Sequence, residues 1–505
     1  MLFEQLDTTP AGDGAEPAAA QPPSRKAAGA YYTPAAVAAT LVRWAAREPT
    51  DRLLDPSCGD GRFVALHRNS VGVERDPQAA ALARARAPHA AVHEADFFAW
   101  AATTRERFTC AAGNPPFIRY QTFKGETRRR ALALCTALGA DFNGLASSWA
   151  PFLVAAAGLL APGGRMAFVV PAEIGHAPYA APLLEYLVSR FAIVHVVACR
   201  AKLFPELSED CWLLHADGFG GSAAEIRFTA LDAFAPSPSP PSRFTAVPVR
   251  EWRQGWNRRL RPFLMPAAAR ELYRAIADDP AARRLGDLAT VGIGYVTGAN
   301  DFFHLRPSEA ERWGVPPAFL LPAVRNGRAL SSGRLTPADV AEWRRRDEPV
   351  LLLNIPKGPT LPDAVRRYLD SPRGHAAREA YKCRTREPWY AVPDVQVPDY
   401  FLSYMSGLRP ALVRNEAGCA GTNSVLAVRL RRSDAPDLSE AWRSPLAALS
   451  CEVEGHPLGG GMLKLEPREA ARVVVPSDRR TAGADAGIIL DATATLRAWR
   501  HYGVR

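Results

Sequence analysis

The segment DRLLDPSCGDGRF, residues 51–63, predicts the fold of the first half of this 505-residue chain. Its two adjacent leucines suit a short buried strand, which ends at Asp55 before a proline. Gly59 and Gly61 then permit a tight turn and let a ligand approach the backbone closely. A strand that leads through a glycine-rich turn into a helix is typical of a doubly wound, largely parallel α/β sheet.

Three further predicted strands each end in an acidic or amide side chain. SVGVERDP ends in Glu74, AVHEADFF in Asp96, and FTCAAG leads into Asn114. An acid about twenty residues beyond the glycine-rich turn is placed to bind a ribose diol. Any one such acid taken alone is better explained as a helix cap or a solvated loop residue. The ordered set of four, with Asp55, predicts a single pocket at the carboxyl ends of parallel strands.

The tetrapeptide at residues 114–117, Asn-Pro-Pro-Phe, predicts a stiff loop with exposed acceptors. Two adjacent prolines set two φ angles near −65° and remove two N–H donors. The first proline also favours an extended conformation at Asn114. An amide oxygen, a prolyl carbonyl and the ring of Phe117 could together hold a planar ring that carries an exocyclic amino group.

The order of these motifs resembles that of the N6-adenine DNA methyltransferases of the gamma arrangement. In that family a Tyr-Thr-Pro segment comes first, present here in GAYYTP at residues 29–34, and the glycine-rich and NPPF motifs follow. The resemblance is specific over about residues 29 to 215. It implies a Rossmann-like class I methyltransferase domain with a predominantly parallel sheet, followed by a mixed α/β target-recognition domain.

The resemblance also implies roles for individual residues, with S-adenosyl-L-methionine as the cofactor. The residues implied to bind the cofactor are Tyr31, Tyr32, Thr33, Asp55, Pro56, Gly59, Gly61, Glu74, Asp96 and Phe97. The implied catalytic set is Asn114, Pro115, Pro116 and Phe117. The segment KLFPELSED resembles the one whose phenylalanine, here Phe204, packs on the target base. A buried core phenylalanine is an equally good interpretation of Phe204.

Composition divides the chain into regions. Residues 1–28, rich in Ala, Pro and Gly, predict a disordered extension without the apolar core of a signal peptide. We expect the catalytic domain at 29–234, a Pro/Ser-rich linker at 235–250 and a DNA target-recognition domain at 251–505. Basic residues exceed acidic ones by one in residues 1–250 and by nine in residues 251–505. This asymmetry favours a DNA-binding second half, although a GC-rich genome also favours arginine.

Several segments of the second half mix basic and aromatic residues. REWRQGWNRRLRPF, from residue 250, suits either a phosphate contact or a helix over an interdomain seam. Basic and aromatic side chains in alternation are suited to phosphate and stacked-base contacts. In YKCRTREPWY this pattern makes Arg384, Arg386 and Trp389 candidate DNA contacts. The segment VGIGYVTGANDFFHL resembles the opening of target-recognition domains in this family, which adds Tyr295, Thr297 and Asn300.

Other function classes are weighed on the same residues. The eight cysteines form no Cys-x-x-Cys pair, so we expect no metal site, and no apolar run reaches the length of a membrane span. We expect a monomer in the bacterial cytoplasm, bound to double-stranded DNA in the nucleoid. With no nuclease constellation, any restriction endonuclease would be a separate protein. Alternatives are a methyltransferase for an RNA base or a protein glutamine, and a non-catalytic DNA-binding protein.

Overall fold

A computed structural model gives the three-dimensional structure of the chain. It describes residues 33–142, 146–207, 209–330, 333–358, 360–432, 437–476 and 484–502. The predicted N-terminal extension, together with Tyr31 and Tyr32, lies outside the described residues.

A nine-stranded sheet organises the first half of the chain. Its strands are β1 Leu53–Asp55, β2 Ser70–Glu74, β3 Ala91–Glu94, β4 Phe108–Gly113, β5 Leu160–Pro171, β6 Phe191–Cys199, β7 Cys211–Phe219, β8 Glu225–Leu231 and β9 Thr245–Pro248. They lie in the order β3-β2-β1-β4-β5-β7-β6-β8-β9. The five strands from β3 to β5 run parallel, and β7 is antiparallel to both of its neighbours. The carboxyl ends of β1, β2, β3 and β4 therefore meet at one edge of the sheet, as predicted.

Helices cover this sheet. They are α1 Ala35–Ala45, α2 Pro77–Arg86, α3 Phe97–Thr103, α4 Gly125–Leu138, α5 Trp149–Ala157, α6 Ala181–Arg190 and α7 Val249–Gly255. Local sequence explains where several of them begin. Asp76 accepts hydrogen bonds from two backbone N–H groups at the start of α2, and proline occupies its first position. Asp96 caps α3 in the same way. α2 and α3 therefore each begin three residues beyond the end of the strand that precedes them.

The predicted linker is only partly a linker. Its last residues form β9, which pairs antiparallel with β8, so the catalytic sheet extends to residue 248 rather than 234. The Pro/Ser run itself forms neither a helix nor a strand, and Trp44 donates a hydrogen bond to the carbonyl of Ser237 at 3.3 Å. Residues 245–248 read Thr-Ala-Val-Pro, and only Val247 among them is buried, which is compatible with an edge strand.

The second half mixes strands and helices, which confirms the predicted fold class. Its strands are β10 Arg283–Arg284, β11 Ala289–Ile293, β12 His304–Leu305, β13 Leu320–Val324, β14 Arg334–Leu335, β15 Leu351–Leu353, β16 Tyr400–Ser403, β17 Met405–Ser406, β18 Leu412–Asn415, β19 Ala420–Gly421, β20 Val425–Leu430, β21 His456–Leu458, β22 Met462–Lys464 and β23 Val474–Val475. They form sheets of five, four, three and two strands, and the largest has the order β11-β20-β16-β18-β14.

The helices of the second half include two that return to the catalytic domain. All of them are α8 Ala267–Ala277, α9 Leu285–Leu288, α10 Asn300–Phe303, α11 Pro307–Trp313, α12 Pro337–Arg345, α13 Asp363–Leu369, α14 Pro372–Glu379, α15 Tyr381–Arg384, α16 Leu438–Trp442, α17 Pro445–Glu454, α18 Pro467–Ala470 and α19 Ala484–Ala498. Buried side chains of α17 and α19 belong to the same apolar core as Trp252 and Trp256. One apolar core therefore lies on both sides of the expected boundary at residue 251.

The segment that follows β9 fills the interdomain seam. Arg259 and Arg261 are only 5% and 2% exposed, and each pairs with a glutamate of the second half. The guanidinium of Arg261 lies 3.1 Å from Glu452, and that of Arg259 lies 2.6 Å from Glu469. Of the two interpretations of this segment, the structure supports the seam. These two arginines have no exposed surface to offer to a phosphate backbone.

The described residues hold no cluster of three or more His, Cys, Asp or Glu side chains able to bind a metal ion. All eight cysteines are free and buried. Among the helices that the structure describes, none is both long and apolar enough to span a bilayer.

Candidate active site

The glycine-rich turn after β1 is shaped by backbone conformation and by close packing. Gly59 has a φ of 53° and Gly61 a φ of 86°, in the left-handed region that glycine adopts without strain. A Cβ on Gly61 would lie 2.8 Å from the Cα of Ala83 in α2, so a side chain there would push the helix away. A Cβ on Gly59 would meet nothing within 4 Å. The turn thus presents bare backbone at Gly59, where a ligand can approach.

Glu74 connects the end of β2 to this turn. Its carboxylate accepts a hydrogen bond from the N–H of Gly59 at 2.9 Å and another from the N–H of Asp76 at 2.8 Å. The side chain is half-buried. Both carboxylate oxygens of Glu74 are thus held by backbone N–H groups beside the glycine-rich turn. This is the position expected of an acid that binds a ribose.

Asp55 is the buried acid at the centre of the site. It is 1% exposed, and one carboxylate oxygen accepts from the N–H of Ser57 at 3.1 Å. Burial, together with the nearby acids Glu74 and Asp60, raises the pKa of Asp55 to about 8. A Cβ on Gly113, the last residue of β4, would lie 2.7 Å from the same oxygen. The turn and the NPPF loop therefore begin from touching positions on adjacent strands.

The first predicted segment is tied to the turn through Thr33. Arg62 donates a hydrogen bond to the carbonyl of Thr33 at 3.0 Å and forms an ion pair with Asp60 at 3.2 Å. Thr33 is therefore held beside the glycine-rich turn. The role predicted for its segment requires this position. The cofactor-binding roles of Tyr31 and Tyr32 remain predictions.

Asp96 and Phe97 occupy different environments. Asp96 is half-buried at the start of α3, and it accepts from the N–H of Ala99 at 3.0 Å. Phe97 is 3% exposed and stacks on Phe152 with ring centroids 5.3 Å apart. Asp96 is thus a helix cap at the site's edge. The ring of Phe97 lies in the core, and its contact with a cofactor remains a prediction.

The NPPF loop directs one unpaired acceptor into the protein. Pro115 is buried, while Asn114 and Phe117 are half-buried. The side-chain oxygen of Asn114 is buried and has no hydrogen-bond partner among the described residues. A buried acceptor without a partner costs about 1–3 kcal/mol, so native proteins retain few of them. The atom predicted to bind an amino group is one of these few.

Ser148 was not predicted as a site residue, and it holds the loop in place. It is 0% exposed and lies immediately before α5. Its hydroxyl donates to the carbonyl of Pro116 and accepts from the N–H of Ile118 at 2.9 Å. Its sequence signal, a serine before a helix, is indistinguishable from that of an ordinary helix cap.

A chain of buried polar groups continues from α5. The Trp149 indole donates to the Tyr179 hydroxyl at 3.0 Å, and that hydroxyl donates to Glu173. Burial is the main cause that raises the pKa of Glu173 and of Tyr179. Arg119 and Glu209 form an exposed ion pair of 2.9 Å nearby, between the residues that follow the NPPF loop and those that follow Phe204.

Phe204 does not line an open pocket. It is 1% exposed and packs in an apolar cluster that includes Leu41, Val197 and Leu213. Of the two interpretations of this residue, the structure supports the core phenylalanine.

Most of the predicted DNA contacts are also structural. Tyr295 is 2% exposed, and its hydroxyl lies 2.7 Å from His304 Nε2. Thr297 is 1% exposed and donates to the side-chain oxygen of Asn300 at 2.5 Å. Their burial contradicts direct contact of Tyr295 and Thr297 with a DNA groove. Asn300 is exposed, so its predicted contact remains a proposal.

The basic and aromatic segment around α15 likewise contains both packed and exposed side chains. Arg386 donates to the carbonyls of Thr297 and Lys382, and its guanidinium lies 5.6 Å from the centre of the Phe303 ring. Trp389 is half-buried against Phe302 and Phe303. The side chains of Arg386 and Trp389 therefore connect segments within the second half of the chain. Arg384 is exposed and keeps its predicted place as a DNA contact.

This strand order and the acids along its carboxyl edge define the class I methyltransferase fold. The N-6 DNA Methylase family matches residues 19–214, and the family of the Type II methyltransferase M.Eco57I C-terminal domain matches residues 257–498. Together these two families account for both halves of the chain. The two matches support an N6-adenine DNA methyltransferase of a restriction–modification system.

Individual relatives cover much of the chain. Type II methyltransferase M.XamI of Xanthomonas campestris pv. amaranthicola is 25% identical over 89% of this chain and 85% of its own length. M.AccI of Acinetobacter calcoaceticus is 20% identical over 70% of this chain and 66% of its own length. Among solved structures, the type IIL restriction–modification enzyme MmeI has a TM-score of 0.51 at 14% identity. That likeness covers 90% of this chain and 70% of MmeI, and it concerns the fold alone.

Proposed function

We propose that this protein transfers a methyl group from S-adenosyl-L-methionine to the exocyclic N6 of an adenine within a specific double-stranded DNA sequence. The adenine would leave the helix and enter the pocket beside the NPPF loop. The modification would protect host DNA against a separate restriction endonuclease. Membership of the N-6 DNA Methylase family supports the reaction class, and the site geometry supports the residue roles.

The observation that carries the proposal is the unpaired side-chain oxygen of Asn114, one residue beyond the Asp55–Gly113 contact. A buried acceptor calls for a donor, and an exocyclic amino group supplies two N–H bonds. Asn114 is distant from Asp55 along the chain. The two residues are close in space because β1 and β4 are adjacent strands. The acceptor and the glycine-rich turn therefore serve one pocket.

The chemistry follows from the loop's stiffness. The adenine amino nitrogen is a weak nucleophile because the ring delocalises its lone pair. Acceptors at Asn114 and the Pro115 carbonyl would bind both N–H groups and turn the lone pair towards the methyl donor. Phe117, half-buried, would stack on the base with its remaining face. Because two prolines hold the acceptors in advance, little reorganisation is needed at the transition state.

The turn after β1 fits the adenosyl part of the cofactor. Glu74 stands where a ribose diol would bind, Gly59 leaves room above the backbone, and Asp55 gives the pocket floor an acidic group. When bound, S-adenosyl-L-methionine supplies an electrophilic methyl group on a sulfonium. The described residues at this edge are acidic and amide side chains, which suit a ligand that carries positive charge.

Charge supports DNA as the substrate. The second half carries nine of the ten excess basic charges, and Asn300, Lys382 and Arg384 are exposed on it. Phosphate contacts of this kind position a protein on a duplex without reading its sequence. Transfer of the base out of the helix costs a few kcal/mol, which stacking on an aromatic ring offsets in part.

A direct assay tests the proposal. The purified protein is incubated with isotopically labelled S-adenosyl-L-methionine and with unmethylated duplex DNA, single-stranded RNA or a mixture of soluble proteins. We expect label in DNA alone, recovered by mass spectrometry as N6-methyladenine within one sequence context. Label in RNA or in protein glutamine would replace DNA as the substrate. Binding to DNA without any transfer would indicate a non-catalytic protein.

A further inference from the structure

Ser148 makes three hydrogen bonds to the residues that surround Phe117. Its hydroxyl donates to the Pro116 carbonyl and accepts from the Ile118 N–H at 2.9 Å. Its own N–H donates to the Ile118 carbonyl at 2.9 Å. One buried residue therefore grips the loop on both sides of the ring that is proposed to stack on the base.

The position of Ser148 makes this use of its hydroxyl unusual. A serine immediately before a helix ordinarily accepts from N–H groups of the first helical turn. Here the hydroxyl makes no such bond within the described part of α5. It is committed to the loop instead, so its role differs from that of a helix cap.

The loop needs support from outside because of its own sequence. Pro115 and Pro116 have no N–H group, so neither can anchor the loop by donating a hydrogen bond. Prolines restrict φ but leave the orientation of the whole loop relative to the sheet undetermined. The bonds from Ser148 supply that orientation. Ser148 immediately precedes α5, and eight buried residues fix that helix in the core.

We propose that Ser148 is a positioning residue for methyl transfer. It holds the carbonyl of Pro116 and the N–H of Ile118, and through them it sets the direction of the Asn114 side chain and the Phe117 ring. This inference rests on the proposed function. It predicts that Ser148 affects the rate of transfer and leaves cofactor binding unchanged, because its hydroxyl bonds among the described residues go to the NPPF loop and its continuation.

The test compares Ser148→Ala with Ser70→Ala on unmethylated duplex DNA. Ser70 is a matched control: it is 4% exposed and its hydroxyl bonds the carbonyls of Val64 and His67 at 2.8 and 2.9 Å. It begins β2, so it lies at the opposite edge of the sheet from the loop. We expect kcat to fall roughly 100-fold in Ser148→Ala, the scale of a 1 Å misplacement of reacting groups. Ser70→Ala should keep wild-type kcat.

Two further measurements separate positioning from general damage. The cofactor Kd of Ser148→Ala, measured by calorimetry, should equal that of the wild type. In the double variant with Asn114→Ala, the loss of Ser148 should add little to the loss of Asn114, because both act through one loop. Independent, multiplicative losses would overturn the inference.

The near-isosteric Ser148→Cys provides the test if the alanine variant does not fold. A thiol is a weak donor and a weak acceptor, and cysteine is well suited to buried positions. We expect its melting temperature to stay near that of the wild type while kcat falls. Wild-type kcat in this variant would refute the positioning role. Inactivity of the wild type on DNA would refute the proposed function instead, whatever the variants do.

Discussion

The catalytic edge and the interdomain seam use buried polar groups in opposite ways. At the catalytic edge, the Asn114 oxygen has no partner within the described residues, and the charged neighbours that act on Asp55 are acidic. At the seam, Glu452 is 1% exposed and accepts from Arg261 and Arg500 at 3.1 and 2.7 Å. At the seam the buried charges are paired with one another, whereas at the catalytic edge a buried acceptor is left for the ligand that we propose.

The largest effect should come from a disruption of the seam. Glu452→Ala would leave buried guanidinium groups without their partner, at a cost of about 3–5 kcal/mol in the free energy of unfolding. Denaturant unfolding followed by tryptophan fluorescence measures this loss. In the exposed pairing of Glu342 with Arg346, at 2.6 Å, the Glu342→Ala change should cost at most about 1 kcal/mol. Equal losses would remove the distinction between seam and surface.

The catalytic edge should respond in rate rather than in stability. Asn114→Ala removes an acceptor proposed to act in the transition state, so kcat should fall by about 100- to 1000-fold. Calorimetry should find the cofactor Kd of the wild type. Asn69→Ala, at the amino end of β2, serves as the control and should leave both constants unchanged. A parallel loss of transfer and cofactor binding would show that Asn114 is structural.

Cofactor affinity should depend on Glu74 and not on its neighbour one strand away. Glu74→Ala removes a charged acceptor, and hydrogen bonds to charged groups contribute about 1.5–3 kcal/mol, so the Kd should rise by roughly 10- to 100-fold. Glu94 ends β3, and its side chain is 45% exposed beside Arg84. Glu94→Ala should bind like the wild type. An unchanged Kd in Glu74→Ala would exclude Glu74 from the site.

The smallest effect, taken per pH unit, is the pH dependence contributed by Asp55. Its pKa rises from 3.8 to about 8 on folding, so between these values the folded protein binds more protons at this group than the unfolded chain. The contribution of Asp55 to stability therefore decreases as pH rises, by at most about 1.4 kcal/mol per pH unit. Comparison of Asp55→Asn with the wild type at neighbouring pH values isolates this slope. Parallel pH profiles would show that the pKa of Asp55 is ordinary.

The position of the candidate site was largely predictable because strand ends are positioned by local rules. Asp55, Glu74, Asp96 and Asn114 each end a strand or follow one within two residues, and parallel pairing brings those ends to one edge. Ser148 escaped prediction because its partner residues lie about thirty positions away, across a fold contact that residue type does not encode.

The second half resisted prediction for a related reason. Tyr295, Thr297 and Trp389 have the residue types of DNA contacts, and the tertiary structure buries them or packs them against neighbours. Whether a polar or aromatic side chain reaches solvent depends on which strand pairs with which. The short strands of this half pair over large separations in sequence, such as Ala289–Ile293 with Val425–Leu430.

The sequence by itself determined the doubly wound sheet, the order of its polar strand ends and the basic character of the second half, since turn chemistry and charge are local properties of the chain. Only the tertiary structure decided that residues 249–277 share a core with α17 and α19, that Arg259 and Arg261 neutralise buried glutamates, and that a serine before α5 holds the NPPF loop. Those outcomes depend on contacts between distant segments, whose formation is a property of the whole packed molecule.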